Sequence, residues 1–355
     1  MKGFGIIKPM EEVGWIEKEM PVAGPYEAVL EPVALIPCTS DVDTAAENPN
    51  AAVGRILGHE GVGRIVSVGS EVKDFKPGDV VAVPAVTPMW RNLDVQDCNH
   101  QHSGGYLGGR YLSSKWDGMF SEYFKVPDVD LNVAKIPEGV SLEAAALVGD
   151  MVTTGFHGVE LADVKFGDRV CVIGIGPVGL MSVAGCVLRG ASEIYAVGHR
   201  PITRQLAMEY GATATVDYQD GPIVEQIMKL TGGQQIEKVI IAGGEPTVFN
   251  DALALVKYTG TVANLAGHGR TELLLPIYTN ESGFGFCAHK TVTGGLCPGG
   301  RRRIERLMDM VKAGRFEPEK LITHKFYGYE GIEEAFNLMK SKSQEVVKPI
   351  IYFDR

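Results

Sequence analysis

Apolar positions along this chain come in two rhythms. Up to about residue 150 they form short extended runs between turns. Ala28-Val29-Leu30-Glu31-Pro32-Val33-Ala34-Leu35-Ile36 is one; Gly61 to Gly69 alternates between glycines; Val80-Val81-Ala82-Val83-Pro84 follows the turn Phe75-Lys76-Pro77-Gly78-Asp79. Runs of this length and composition, punctuated by turn residues, predict strands. Their spacing predicts a small barrel-like β domain. Beyond residue 150 the rhythm changes. Met151 to Leu161 and Val178 to Leu188 predict helices, and Arg169 to Ile173, Glu193 to Val197, Lys238 to Ala242, Thr261 to Leu265 and Lys290 to Gly294 predict strands. Continuous apolar strands alternating with helices predict a parallel sheet covered on both faces. Two helices, Arg301 to Gly314 and Gly331 to Lys342, and a strand, Val346 to Phe353, then return the chain to the first domain. The fold class is α/β, with one domain made of 1–150 and 296–355 and the other of 151–295.

The most informative stretch joins a strand to a helix. Gly174-Ile175-Gly176-Pro177-Val178-Gly179 follows Arg169-Val170-Cys171-Val172-Ile173, which is the context a dinucleotide fingerprint needs. Gly174 permits the tight turn, Gly176 lets a pyrophosphate approach the backbone, and Gly179 lets the helix lie close on the strand. Pro177 suits the first helical position. The free N–H groups of Val178 and Gly179 then face the phosphates. The end of the next strand selects the nucleotide. An Asp or Glu there would bind a ribose 2′-OH; this chain has Gly198-His199-Arg200-Pro201. With no carboxylate to repel a 2′-phosphate, with Gly198 leaving room for one, and with Arg200 able to bond it, the expected cofactor is NADP. Leu265, Ala266 and Gly267 follow another strand and are expected along the cofactor, because ligands bind at the carboxyl ends of such strands.

Composition narrows the class. The chain has 355 residues, 45% hydrophobic and 22% charged, and 34 basic against 44 acidic residues give a net charge of −10. That balance argues against nucleic acid or an anionic membrane as the main partner. The N-terminus lacks the apolar core of a signal peptide, and no apolar stretch is long enough to span a bilayer. A cytoplasmic protein is expected. The six cysteines, Cys38, Cys98, Cys171, Cys186, Cys287 and Cys297, are scattered without a C-x-x-C pair, so no disulfide framework is expected.

Three residues of the first segment carry chemistry. Cys38 follows the first of these strands, and His59 and Glu60 lie in Gly58-His59-Glu60-Gly61. Thiolate, imidazole and carboxylate are the zinc ligand types. Taken singly, each has a plainer reading: a small buried hydrophobe for Cys38, a surface turn for the pair. The combination resembles a known signature. Gly58-His59-Glu60-Gly61-Val62-Gly63, Val68-Gly69 and Lys76-Pro77-Gly78-Asp79 are similar to the zinc alcohol dehydrogenase signature of the medium-chain dehydrogenase/reductase superfamily. More narrowly, Met1-Lys2-Gly3-Phe4, Gly14-Trp15-Ile16-Glu17-Lys18, Pro37-Cys38-Thr39-Ser40-Asp41, Thr153-Thr154-Gly155-Phe156-His157-Gly158 and Gly294-Gly295-Leu296-Cys297-Pro298-Gly299-Gly300 resemble the bacterial NADP-dependent secondary alcohol (isopropanol) dehydrogenases.

The resemblance implies a GroES-like catalytic domain beside a Rossmann NADP-binding domain. It implies Cys38, His59 and Asp150 as ligands of one catalytic zinc, with Glu60 a nearby carboxylate able to bind or exchange. Three protein ligands leave a fourth position open, as a catalytic zinc requires. Ser40 is implied as a proton relay, although a Ser after a strand is also an ordinary turn residue. Tyr218 is implied beside the 2′-phosphate, Lys340 near a cofactor phosphate, and Ala85, Val86, Arg110, Leu296 and Cys297 around the substrate. Relatives carry tryptophan where Arg110 stands, so a substrate carboxylate or phosphate stays open. Many members also hold a structural zinc on four cysteines in a lobe near residues 90–115. Only Cys98 is there, so none is expected, and His100 and His102 are read as surface histidines. The implied activity is interconversion of small secondary alcohols and ketones, aldehydes included, with zinc as the Lewis acid, in a homotetramer. A polyol, sugar or hydroxy-acid dehydrogenase of the same superfamily is the first alternative. A noncatalytic NADPH-binding relative is the second.

Overall fold

The computed structural model describes residues 1–108, 116–268, 272–273 and 289–353. The chain forms two compact units, Met1–Thr153 with Cys297–Arg355, and Thr154–Leu296.

The first unit opens with a hairpin, β1 (Lys2–Lys8) and β2 (Glu12–Glu17). It continues through β3 (Ala28–Leu35), α1 (Thr39–Glu47), β4 (Gly61–Val68), β5 (Val80–Val83), β6 (Phe124–Val126), α2 (Val129–Asn132), β7 (Ala134–Lys135) and α3 (Leu142–Leu147). α4 (Thr153–Leu161) carries the chain into the second unit, where β8 (Arg169–Ile173), α5 (Pro177–Leu188), β9 (Glu193–Val197), α6 (Pro201–Glu209), β10 (Ala214–Val216), α7 (Ile223–Leu230), β11 (Ile236–Ile241), α8 (Val248–Leu255), β12 (Val256–Asn264) and β13 (Thr291–Gly294) follow. α9 (Arg301–Lys312), β14 (Ile322–Tyr327), α10 (Glu330–Lys340) and β15 (Lys348–Tyr352) complete the first unit.

The first unit's sheet runs β14-β15-β3-β4-β5-β7, with β6 also on β3. Pro32 lies inside β3, where its missing N–H would break a regular ladder; the pairing with β4 shifts register between Pro32 and Ala34, the kind of irregularity that tolerates proline. Phe4, Leu30, Phe120, Phe124 and Phe336 fill the core. Phe4 meets Trp15 and Phe336 edge-on, at 5.7 and 5.3 Å, a favoured aromatic geometry. In the second unit six parallel strands run β10-β9-β8-β11-β12-β13. This is the doubly wound order of a dinucleotide fold, with its switch point at β8 and β11.

The parallel α/β sheet read from the periodicities is thus present in the second unit, while the first unit's main sheet is largely antiparallel, as a β-rich domain requires. Several elements differ from expectation. α1 starts at Thr39, where only a turn was read. The helix expected from Met151 is α4, but an unexpected α3 precedes it, capped by Ser141, whose Oγ accepts from Ala144 N at 3.1 Å. β12 begins at Val256, directly out of α8. Among the described residues no helix is long and apolar enough to cross a membrane.

Candidate active site

Three local devices converge in the first unit. Cys38 is the N-cap of α1, and Asp41 in that helix's first turn accepts the Cys38 N–H at 2.9 Å. His59 follows Gly58, whose φ is +92° and where a Cβ would lie 2.4 Å from the Phe120 ring; only glycine fits that turn. Asp150 sits in a π-helical segment, Val148–Val152, between α3 and α4. Such wide turns are frequent at functional positions.

The result is one cluster. A sulfur, a ring nitrogen and a carboxylate oxygen of Cys38, His59 and Asp150 all lie within 4.8 Å of one another. His59 Nε2 is 3.4 Å from Asp150 Oδ2 and 3.2 Å from the Ser40 hydroxyl. Asp41, 1% exposed, anchors the other side of the ring: its Oδ1 lies 3.1 Å from His59 Nδ1 and accepts from Gly58 N at 3.0 Å. With Nδ1 so engaged, Nε2 is the nitrogen that faces Cys38 and Asp150. A carboxylate on the far nitrogen is the usual support of a metal-binding histidine.

The donor set fits zinc. Bonds of about 2.1 Å at the tetrahedral angle put two ligand atoms about 3.4 Å apart, as the nitrogen and oxygen are here. The electrostatics agree. Burial opposes charge on His59, yet Asp41, Asp150 and Cys38 together hold its pKa well above the ordinary value. The pocket calls for positive charge, and a dication supplies more of it than a proton does.

Glu60 stands apart from this triplet. It is fully buried, and its Oε2 receives a hydrogen bond from Lys348 Nζ at 2.8 Å; the same ammonium donates to Pro37 O at 3.1 Å. Glu60 Oε1 is buried with no hydrogen-bond partner among the described residues. Burial, with the charge of Asp150, pushes this carboxyl up to about 8 against the pull of Lys348. Lys348 is itself 1% exposed; burial opposes its charge, but Cys38, Glu60 and Asp150 outweigh that and raise its pKa. Sequence reasoning missed both Lys348 and Asp41. Their signals were a lysine inside the apolar strand Val346 to Phe353 and an acid three residues after the cysteine.

In the second unit the glycine turn follows β8. Gly174 has φ +88°, and a Cβ there would meet Gly243 N at 2.5 Å. A Cβ on Gly179 would lie 2.0 Å from Gly174 O, whereas one on Gly176 meets nothing within 4 Å. Only Gly176, the N-cap of α5 with Pro177 following, faces open space of the kind a pyrophosphate fills. Ile175 is buried; Val178 is half-buried. The expected room beside Gly198 is occupied by protein: a Cβ there would lie 2.3 Å from Ile175 Cγ1. That glycine is explained by packing. His199 Nδ1 lies 3.0 Å from Asp217 Oδ2, and its ring is 5.9 Å from that of Tyr218, which is 53% exposed. Arg200 caps α6. Leu265 and Ala266 are half-buried and Gly267 exposed, just past β12.

The remaining expected residues scatter in character. Ala85, Val86 and Cys297 are buried in the first unit. Ala85 N donates to Gly149 O at 3.0 Å, beside Asp150. Leu296 is half-buried at the end of the second unit, and Lys340 is exposed at the end of α10. Arg110 lies outside the described residues. In the lobe, His100 stacks on Trp90 at 5.2 Å between centroids, and Cys98 is exposed.

A doubly wound nucleotide unit and a separate β unit holding a Cys-His-Asp triplet define a metal-dependent dehydrogenase. Residues 24–138 match the alcohol dehydrogenase GroES-like domain and residues 177–313 the zinc-binding dehydrogenase domain. The chain belongs to the zinc-binding alcohol dehydrogenases of the medium-chain dehydrogenase/reductase superfamily. It is 53% identical over 355 residues to the NADP-dependent isopropanol dehydrogenase of Thermoanaerobacter brockii, covering 99% of each chain. To that of Clostridium beijerinckii it is 51% identical, again over 99% of each. Among solved structures it resembles zinc dependent alcohol dehydrogenase 2 from Streptococcus pneumonia, with a TM-score of 0.86 at 28% identity, covering 100% of this chain and 99% of that one.

Proposed function

We propose that this protein interconverts small secondary alcohols and ketones with NADP(H), using one zinc held by Cys38, His59 and Asp150. The observation that carries the reading is the convergence of those three donor atoms within 4.8 Å, with the Ser40 hydroxyl 3.2 Å from His59 Nε2. Full-length likeness to isopropanol dehydrogenases supports the substrate class and the NADP preference.

The chain's residues then have separate tasks. Asp41 fixes the ring and tautomer of His59. Ser40 accepts the substrate hydroxyl proton and relays it outward. Lys348 holds one oxygen of Glu60 away from the triplet. Gly176 and the first N–H groups of α5 receive the pyrophosphate, and Arg200, with His199 and Tyr218 nearby, receives the 2′-phosphate. When bound, zinc supplies a Lewis acid that lowers the pKa of the alcohol, and NADP⁺ accepts the hydride. With Cys98 as the lobe's sole cysteine, we assign no structural zinc. A homotetramer with no nucleic-acid or membrane partner completes the reading.

Metal analysis of the purified protein and oxidation of propan-2-ol with NADP⁺ and NAD⁺ in parallel test it. About one zinc per chain and a clear NADP⁺ preference are expected. Absence of zinc would favour a noncatalytic NADPH-binding relative. Zinc without turnover of simple alcohols would favour a polyol, sugar or hydroxy-acid substrate.

A further inference from the structure

The carboxyl ends of β9 and β10 lie side by side. Val197 pairs with Val216, and Gly198 N donates to Val216 O at 2.9 Å. Just past them stand His199 and Asp217. Gly198 also packs on Ile175 of the glycine turn, a Cβ there falling 2.3 Å from Ile175 Cγ1. This edge therefore borders the turn proposed for the pyrophosphate, on the side where a dinucleotide's ribose lies in such a fold.

The end of β9 has no carboxylate, but the end of β10 brings one beside it. Asp217 is 8% exposed. Its Oδ1 accepts from Gln219 N at 2.9 Å and its Oδ2 from Arg204 Nη1 at 3.3 Å. The Gln219 N–H first, then His199 and Arg204, hold this carboxyl below its ordinary pKa against the effect of burial, so Asp217 is ionised. An ionised carboxylate only accepts hydrogen bonds. His199 Nδ1 lies 3.0 Å from Asp217 Oδ2 and 3.2 Å from Oδ1, so Nδ1 carries a hydrogen. The other ring nitrogen, Nε2, has no hydrogen-bond partner among the described residues, and the side chain is 32% exposed, so it is open to a ligand. A neutral imidazole with its hydrogen on Nδ1 offers Nε2 only as an acceptor, which repels phosphate oxygens. An imidazolium donates from both nitrogens. The charged and titratable groups placed about the pair among the described residues are Arg204 in α6, Arg200 at that helix's N-cap, and Tyr218, whose ring is 5.9 Å from that of His199. The glycine turn adds none.

We infer that His199 is a specificity-determining residue that holds the 2′-phosphate only as the imidazolium, with Asp217 the positioning residue that fixes the ring and supplies its counter-charge. Binding of NADP⁺ then takes up a proton from solvent at Nε2, and the preference over NAD⁺ falls as pH rises. This rests on the NADP reading above and adds a pH control to the same site.

The test titrates NADP⁺ and NAD⁺ into the zinc-loaded enzyme by calorimetry between about pH 6 and about pH 9, the range in which imidazoles change charge. His199→Asn is the comparison. Its amide can still donate to Asp217, but it has no Nε2 and does not titrate. The ligand's own phosphate gains charge over part of this range, equally for both proteins, so the ratio of their NADP⁺ affinities isolates the ring. At the acid end the unchanged enzyme should bind NADP⁺ about tenfold more tightly than His199→Asn, as a charge-assisted bond implies. At the alkaline end the gap should close. In buffers of different ionisation enthalpy, the unchanged enzyme should take up more protons per NADP⁺ than the variant at neutral pH and above. Asp217→Asn removes the counter-charge and should shift the loss of NADP⁺ affinity to lower pH. A gap that is constant with pH, or equal proton counts, overturns the inference. An Asp217→Asn profile that coincides with that of the unchanged enzyme overturns the role of Asp217. A preference for NADP⁺ that His199→Asn leaves intact sinks this inference alone. Equal affinity for NADP⁺ and NAD⁺ at every pH sinks the NADP reading along with it.

Discussion

Asp41 holds two of the three proposed metal ligands in place. Its Oδ1 accepts from Gly58 N at 3.0 Å and lies 3.1 Å from His59 Nδ1, and its Oδ2 accepts from Cys38 N at 2.9 Å. One carboxylate therefore ties two proposed ligands together. Asp41→Ala removes the acceptor of all three nitrogens, two of them buried and that of Cys38 half-buried. At about 1–3 kcal/mol for each buried unpaired donor, the loss approaches the roughly 5–15 kcal/mol of a whole domain, so that variant is expected to fold poorly. Asp41→Asn is the sharper perturbation. Its one oxygen can stay on Gly58 and His59, but its NH₂ then faces the Cys38 N–H, donor against donor. One unpaired donor implies about 1–3 kcal/mol of destabilisation. Loss of the charge that supports the imidazole implies zinc affinity about 10–100-fold weaker. Thermal melts of the metal-free protein measure the first effect, and chelator competition measures the second. An Asp41→Asn protein with unaltered zinc affinity and unaltered Tm would show that His59 and Cys38 are positioned by something else.

Two further predictions use other parts of the molecule. Gly176→Ala should fold normally, because a Cβ there meets nothing within 4 Å, yet bind NADP⁺ at least about tenfold more weakly if a pyrophosphate lies against it. Gly179→Ala should destabilise the second unit, its Cβ falling 2.0 Å from Gly174 O; circular dichroism and NADP⁺ titration separate the two outcomes. Glu143, in the helix that leads to Asp150, has a lowered pKa: partial burial works against this, but bonds from Tyr352, from the backbone and from Lys325 outweigh it. A depressed carboxyl stabilises the fold above its unfolded pKa and loses that contribution as pH falls through the folded value. Glu143→Gln should therefore lower Tm at pH 7, and the gap should narrow once pH drops below the ordinary glutamate value of 4.5. Melts between pH 7 and pH 3 with a constant gap would refute this.

What the sequence made legible and what it hid separate along a physical line. The strand-glycine-helix motif reads well because its main constraints are local: Gly174 needs its positive φ, Gly179 packs on Gly174 O within the turn, and Gly176 is left open. The class of fold reads well because periodicity reports which face is buried. The expectation of empty room at Gly198 misled, since the side chain that fills it, Ile175, lies on a neighbouring strand's turn. Sequence distance hides such contacts. The same cause concealed Lys348. A lysine in an apolar strand reads as a snorkelling surface residue, yet Glu60, 288 positions away, makes its burial tolerable. Two buried opposite charges are individually costly, and each is explained only by the other. Asp41 was hidden more shallowly, by the turn reading of Thr39-Ser40-Asp41. Once that segment is a helix with Cys38 at its N-cap, an acid in the first turn has an obvious partner in the cap's own N–H. Its second partner, His59, needs the tertiary fold. Of the proposed metal ligands, Cys38 and His59 are thus legible as residue types and Asp150 only through the resemblance, while the residues that aim and balance them become visible only when the strands are closed into a sheet.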